Sequence, residues 1–192
     1  WIALESAISG GADVALIPEI PYDIKKAAEA IENRKKQGKN FSVVVVSEGA
    51  HPIGEGQTTH SAEGIDTGAG ISVKFGGEGN RVAKQLQELT GLESRCTILG
   101  YMQRGGTPTA YDRVLSTKYG AKAMELALEG KFGVLTVIKN GKLDCVPLEV
   151  VVGENKEIGA VQGGTAESNV RLVTMDHDLV KTARDIGICL GD

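Results

Sequence analysis

Residues 43–46 are four consecutive valines inside the run FSVVVVSEG. Side chains alternate between the two faces of a strand, so such a run must bury both faces. That is the mark of a central parallel strand covered on both sides. A parallel neighbour needs a crossover of a dozen or more residues, usually a helix. The flanking sequence supplies such helices. Trp1, Leu4 and Ile8 fall on one helical face that closes at Gly10-Gly11, and DVALI (13–17) reads as a second buried strand ending at Pro18-Glu19. Asp23 is placed to cap a helix with Ile24, Ala27, Ala28 and Ile31 inward, closed by Gly38.

Further along, Val82, Leu86 and Leu89 mark a helix from about Asn80 to Gly91, and RCTILG (95–100) reads as a third buried strand. After Pro108 a long helix runs to about Glu129, with Val114, Leu115, Ala121, Met124 and Leu128 read as core. VLTVI (134–138) and LDCVPL (143–148) flank Asn140-Gly141, a hairpin signal. A short helix over 178–185 comes last. Residues 49–79 hold nine glycines and no periodicity, which reads as a long functional loop. The order predicts an α/β fold: a three-layer sandwich with a mainly parallel sheet.

Composition narrows the function. The net charge of −4 and 4% aromatic content argue against a nucleic-acid partner, which would show a basic face or stacking platform. No segment reads as a membrane span or signal peptide, so a cytoplasmic location without membrane attachment is expected. Cys96, Cys145 and Cys189 are far apart; the first two lie in apolar runs and read as buried thiols. His51, His60 and His177 make no metal motif and read as exposed loop residues. FGGEGN (75–80) lacks the third glycine of a dinucleotide fingerprint and reads as a capping turn.

Parallel sheets bind ligands at the carboxyl ends of their strands. Glu19, Glu48 and Arg104 each follow a predicted strand, beside Gly or Pro or in the loop that the strand feeds. Glu48 and Arg104 are expected to face one cleft. A carboxylate accepts hydrogen bonds from sugar hydroxyls, and arginine presents a two-pronged donor suited to phosphate. With Arg95 as a second phosphate contact, the set fits a phosphorylated polyol.

ESRCTILGYMQRGGTPTAYDR (93–113) resembles the signature of 6-phosphofructokinases, T-R-x-x-x-L-G-H/Y-x-Q-R-G-G-x-P-x-x-x-D-R. WIALESAISGGADVALIPEIPYD (1–23) resembles the stretch that follows their Met-Gly-Arg motif, and VVVVSEGA (43–50) their strand ending in the substrate-binding glutamate. Three motifs match in order over roughly residues 1–135. The resemblance implies glycolytic transfer of a phosphoryl group to the 1-hydroxyl of fructose 6-phosphate. Glu48 would bind sugar hydroxyls, and Arg104 the 6-phosphate. Arg95 would assist, reaching into a neighbouring subunit, so a homo-oligomer (dimer or tetramer) is implied. Tyr101 stands where many ATP-using members have His; it keeps a donor for phosphate but carries no positive charge near neutral pH. That leaves ATP and pyrophosphate open as donors. Glu19 and Lys39 align with effector-side residues of allosteric bacterial members.

The family's G-G-D-G donor loop and T-I-D-N-D motif are absent from the sequence. No catalytic residue or metal ligand is therefore assigned, and magnesium is expected to bind mainly through a preceding part of a longer protein. The implied organisation is a sugar-phosphate-binding α/β domain over 1–107, a segment over 108–150 that returns to the preceding domain, and a tail over 151–192. A stand-alone sugar-phosphate sensor without catalysis is the alternative.

Overall fold

The structure, a computed structural model, describes residues 1–56, 59–61, 73–75, 77–152 and 172–192. The chain divides into two compact units, Trp1–Ile98 with Leu172–Asp192, and Leu99–Arg171.

The first unit is built on β1 (Val14–Leu16), which pairs in parallel with β2 (Val44–Val46), Val14 opposite Val44 and Leu16 opposite Val46. The other edge of β1 is also taken. The Ala15 amide donates to the Cys189 carbonyl at 2.9 Å, and the Cys189 amide to the Asp13 carbonyl at 2.9 Å, a further parallel bridge. Residues 14–17 are consequently fully buried, while the β2 valines are half-buried and Val43 is exposed. The central strand is therefore DVALI, and the valine run lies beside it. The difference arises because residues 188–190, which carry no strand pattern, return to close the far edge of β1.

Side-chain alternation along β1 then divides the core. Ala15 and Ile17 join Leu4 and Ala7 of α1 (Ile2–Gly10) and Val180 and Ala183 of α6 (Asp178–Asp185). Val14 and Leu16 face the opposite way, toward Ala27, Ala28 and Ile31 of α2 (Ile24–Lys36) and Val82 and Leu86 of α3 (Glu78–Thr90). Helices thus cover both faces of a small parallel sheet. The expected sheet is mainly parallel throughout. Among the described residues the parallel part is confined to this core, and two antiparallel pairs accompany it.

Local chemistry explains the helix ends. The Asp23 side chain accepts from the Lys25 amide at 2.9 Å, capping α2 as its position predicts. His177 is not a free loop residue. Its Nδ1 accepts from the Leu179 amide at 3.2 Å, capping α6, and its ring meets Trp1 edge-on at 5.0 Å. Asp13 does double work at the start of the sheet: one carboxylate oxygen lies 2.7 Å from Arg34 of α2 and the other accepts from the Val43 amide at 2.8 Å. Within the glycine-rich segment, β3 (Thr59–Ser61) and β4 (Val73–Phe75) pair antiparallel. The remainder of that segment's loop expectation falls on residues outside the description.

In the second unit, α4 (Ala110–Leu128) precedes β5 (Val134–Lys139) and β6 (Lys142–Pro147), and α5 (Leu148–Val152) follows. The hairpin turns at Asn140-Gly141 with φ of 52° and 76°, the doubly positive geometry of a type I′ turn. The apolar positions of α4 are not core here: Val114, Met124 and Leu128 are exposed and Leu126 is the buried one.

The expected strand over 95–100 does not form. Residues 91–99 have no regular structure, Ile98 is 70% exposed, and the Cys96 thiol is exposed rather than buried. An apolar run becomes a strand only where it pairs with another strand, and among the described residues this run pairs with none. Gln87 instead holds this segment, accepting from the Ser94 amide at 3.1 Å.

Gly191 adopts φ +84°, and a Cβ there would lie 2.6 Å from the Tyr22 Cβ and 3.1 Å from a Leu16 methyl carbon. Gly191→Ala should destabilise the first unit by about 2 kcal/mol or more, from backbone strain and overpacking together. Gly11→Ala, at φ +65° with open space around it, should cost only about 1 kcal/mol. Chemical denaturation of the two variants checks the contrast; equal losses would refute it.

Candidate functional site

Glu48 lies in the turn that leaves β2 at its carboxyl end, and its side chain is exposed. The turn is short and closed. The Ser47 amide donates to the Leu16 carbonyl at 2.8 Å, and the Ala50 amide donates back to the Ser47 carbonyl at 3.0 Å. Ala50 itself is fully buried against the α2/α3 side of the core. Glu48 is therefore held at its backbone while its carboxylate faces solvent.

Arg95 belongs to the same unit, and its Nε and Nη2 both donate to Glu93 Oε1, at 2.9 and 2.8 Å. Both side chains of that pair are largely exposed, so the pairing is weak and open to exchange for another anion. Tyr101 and Arg104 lie in the second unit, on a 3₁₀ helix, Gly100–Arg104. Tyr101 is 86% exposed. The turn after it is secured by the Gly105 amide on the Met102 carbonyl at 3.3 Å. Thr109 then starts α4 through a reciprocal cap with Asp112.

Glu19 follows β1 and is half-buried. One of its oxygens accepts from the Val173 amide at 3.1 Å, while Oε2 is buried without a hydrogen-bond partner among the described residues. Lys39 is exposed just beyond α2, its amide donating to the Arg34 carbonyl at 3.2 Å. Among the described residues no ion pair joins Glu19 to Lys39 or Glu48 to Arg95. Among them no group of three or more His, Cys, Asp or Glu side chains is placed to hold a metal ion.

One cluster has no counterpart in the sequence reading. Glu78, at the first position of α3, is 1% exposed and accepts a hydrogen bond from the Tyr22 hydroxyl. Burial first, and then the Glu78 carboxylate, push the Tyr22 phenol well above its ordinary range, so it keeps its proton. One turn on, Arg81 donates to Glu55 at 2.6 Å; that bond, with the nearby Glu78 charge, raises the guanidinium further. A cavity of about 300 Å³ opens beside Tyr22, Pro52, Glu55, Arg81 and Gln85. The only sequence signal was the position of Glu78 directly after Gly77, the capping turn, where the helix dipole favours an acid. Its burial left no trace in the pattern. β4 does lead toward this turn, but as an antiparallel strand, not the parallel βαβ unit of a dinucleotide site.

The family model described as phosphofructokinase matches residues 1–127. The chain belongs to the phosphofructokinase family. It is 38% identical to an ATP-dependent 6-phosphofructokinase of Spirochaeta thermophila, over all of this chain and 48% of that protein. It is 41% identical to one of Chloroflexus aurantiacus, over all of this chain and 47% of that protein. An ATP-dependent 6-phosphofructokinase 2 of Clostridium perfringens is also 41% identical, again over all of this chain and 48% of its own length. The chain thus spans about half the length of the curated relatives it matches. No helix among the described residues is long and apolar enough to cross a membrane.

In this phosphofructokinase-family chain the cap that follows the Gln103-Arg104-Gly105-Gly106 turn has a pH signature. The Thr109 hydroxyl, and then the Thr109 amide, hold the Asp112 carboxyl below its ordinary range. The folded value is depressed, so this contribution is present above the unfolded value, near pH 4, and lost as pH falls through the folded one. Asp112→Asn should flatten the acid side of the stability–pH curve below roughly pH 4 and leave its neutral side parallel to that of the unaltered chain. Urea titrations across that range check it; an unchanged acid slope would refute the cap's role.

Proposed function

We propose that this chain is the fructose 6-phosphate-binding part of an ATP-dependent 6-phosphofructokinase. The signature ending in Gln103-Arg104-Gly105-Gly106, in a chain matched by the phosphofructokinase model, carries the reading. Each residue has a role suited to its chemistry. Glu48, exposed on a fixed turn, accepts hydrogen bonds from sugar hydroxyls. Arg104 and Arg95 supply charge-assisted donors for the 6-phosphate, and Tyr101 an uncharged one. Arg95 can leave Glu93 at little cost because that pair is exposed. Glu19 and Lys39 are proposed for an effector anion, and assembly as a homo-oligomer lets Arg95 serve a neighbouring subunit.

Phosphoryl transfer is achieved by holding donor, metal and acceptor in line and stabilising the charge that develops. These 192 residues account for holding the acceptor. The donor loop, the base and the magnesium ligands are assigned to sequence outside the chain. ATP is favoured as donor because the relatives above are named as ATP-dependent enzymes.

The test is kinetic, on the complete gene product. It should phosphorylate fructose 6-phosphate with ATP and magnesium. Turnover with pyrophosphate alone would reassign the donor, and no turnover with either would overturn the reading. Arg104→Ala should raise KM for fructose 6-phosphate, since a charge-assisted phosphate contact contributes on the order of 1.5–3 kcal/mol, roughly ten- to over a hundredfold. An unchanged KM would remove Arg104 from the site. The 192-residue chain by itself should show no turnover with either donor; magnesium-dependent activity in the pure fragment would place the chemistry within it.

A further inference from the structure

Glu78 is the one buried charged side chain among the described residues, and the proposed chemistry does not use it. A carboxylate out of water is costly unless it is well paired, and an apolar pair of similar size often packs as stably. What a Tyr–Glu pair adds over an apolar one is direction, because the ring must sit where its oxygen meets the carboxylate.

That direction is transmitted to the Glu48 turn. The Tyr22 amide donates to the His51 carbonyl at 3.0 Å, and the Ile53 amide donates to the Tyr22 carbonyl at 2.9 Å, forming a short parallel bridge between Tyr22 and Pro52. The segment over 47–53 is thus anchored at two points, by Leu16 at its start and by Tyr22 at its end, with Glu48 between them. The Tyr22 hydroxyl reaches across to Glu78 of α3. Arg81, one turn along the same helix, returns to Glu55 just past the bridge. Strand connection, helix and loop form one circuit around the turn.

We propose that Tyr22 and Glu78 are positioning residues for Glu48: their buried hydrogen bond fixes the turn so that its carboxylate is presented to the sugar hydroxyls in one geometry. This rests on the substrate role given to Glu48 above. Neither residue touches substrate. The pair acts by removing alternative positions of the turn, and small misplacements of a binding group are expensive.

The experiment uses the complete gene product with Tyr22→Phe, Glu78→Leu, Glu78→Gln and the Tyr22→Phe/Glu78→Leu double variant. Tyr22→Phe and Glu78→Leu should each raise KM for fructose 6-phosphate about fivefold or more, with kcat within about twofold and KM for ATP unchanged. Glu78→Gln keeps an acceptor for the phenol and should restore most of the affinity. The double variant should be no worse than the weaker single one, since both delete the same bond. Amide hydrogen exchange provides a reading independent of activity. In Tyr22→Phe the Ala50 and Ile53 amides should exchange about tenfold faster or more while Ala15 in β1 stays protected, which also shows that the variant is folded. Unchanged KM overturns the proposal, as does unchanged exchange at Ala50 and Ile53. Absence of turnover by the unaltered protein removes the substrate role of Glu48, and the exchange result separately decides whether the circuit holds the turn.

Discussion

Residues 14–17 have no solvent-accessible surface, so each of their backbone donors and acceptors has to be satisfied inside the protein. β2 satisfies one edge of β1. Residues near the end of the chain satisfy the other, through the Ala15–Cys189 and Cys189–Asp13 bonds. The rest of the first unit follows from this. Residues 188–190 must return past β1, which sets α6 against α1, and the alternation along the strand then sends α2 and α3 to the opposite face. Gly191 has to lack a side chain because Tyr22 and Leu16 already fill the space beside it. The Gly191 carbonyl also accepts from the Asp23 amide at 2.7 Å, just where α2 is capped.

The same arrangement makes a buried carboxylate tolerable. Glu78 sits where the unpaired amides and dipole of a helix start favour negative charge. A phenol that keeps its proton donates to it, and the Arg81 charge lies within electrostatic reach. The compensation is local to α3 and the connection after β1, so it also fixes how those two segments face each other. A polar pair in such a place specifies an arrangement more than it stabilises one. The turn after β2 inherits that specification through the Tyr22 backbone.

What could be read in advance follows from which forces are local. The α2 cap at Asp23, its inward residues Ala27, Ala28 and Ile31, the Asn140-Gly141 turn and the helix over 178–185 are decided within a few residues, and all stand as their patterns predict. Pairing is not local. Four valines announce burial on two faces, but which strand lies in the middle depends on residues 188–190, almost the whole chain away. RCTILG has the composition of a strand, yet among the described residues it pairs with none. Glu78 and Tyr22 lie 56 positions apart, and no periodicity connects them. The family resemblance supplied roles for Glu48, Arg95, Tyr101 and Arg104; it had nothing to say about the buried pair behind Glu48.

The two units differ in how they can present a binding group. Burial locks side chains and backbone into one arrangement. The first unit has two packed clusters, one of which includes Ala50 of the Glu48 turn, whereas among the described residues of the second unit only Leu126 is buried. A carboxylate selecting among sugar hydroxyls depends on distance and angle, because a hydrogen bond weakens steeply when misaligned. An arginine meeting a phosphate still attracts the anion when its two-pronged geometry is imperfect, since the attraction between full charges falls off only as the inverse of distance and several donors are available. Under the proposed roles the demand for precision falls on Glu48, in the well-packed unit, and the charge contact on Arg104, in the Gly100–Arg104 helix. The signature is legible in sequence because its chemistry lies in its own residues. The precision proposed for Glu48 is not, because it would lie in the packing around the turn.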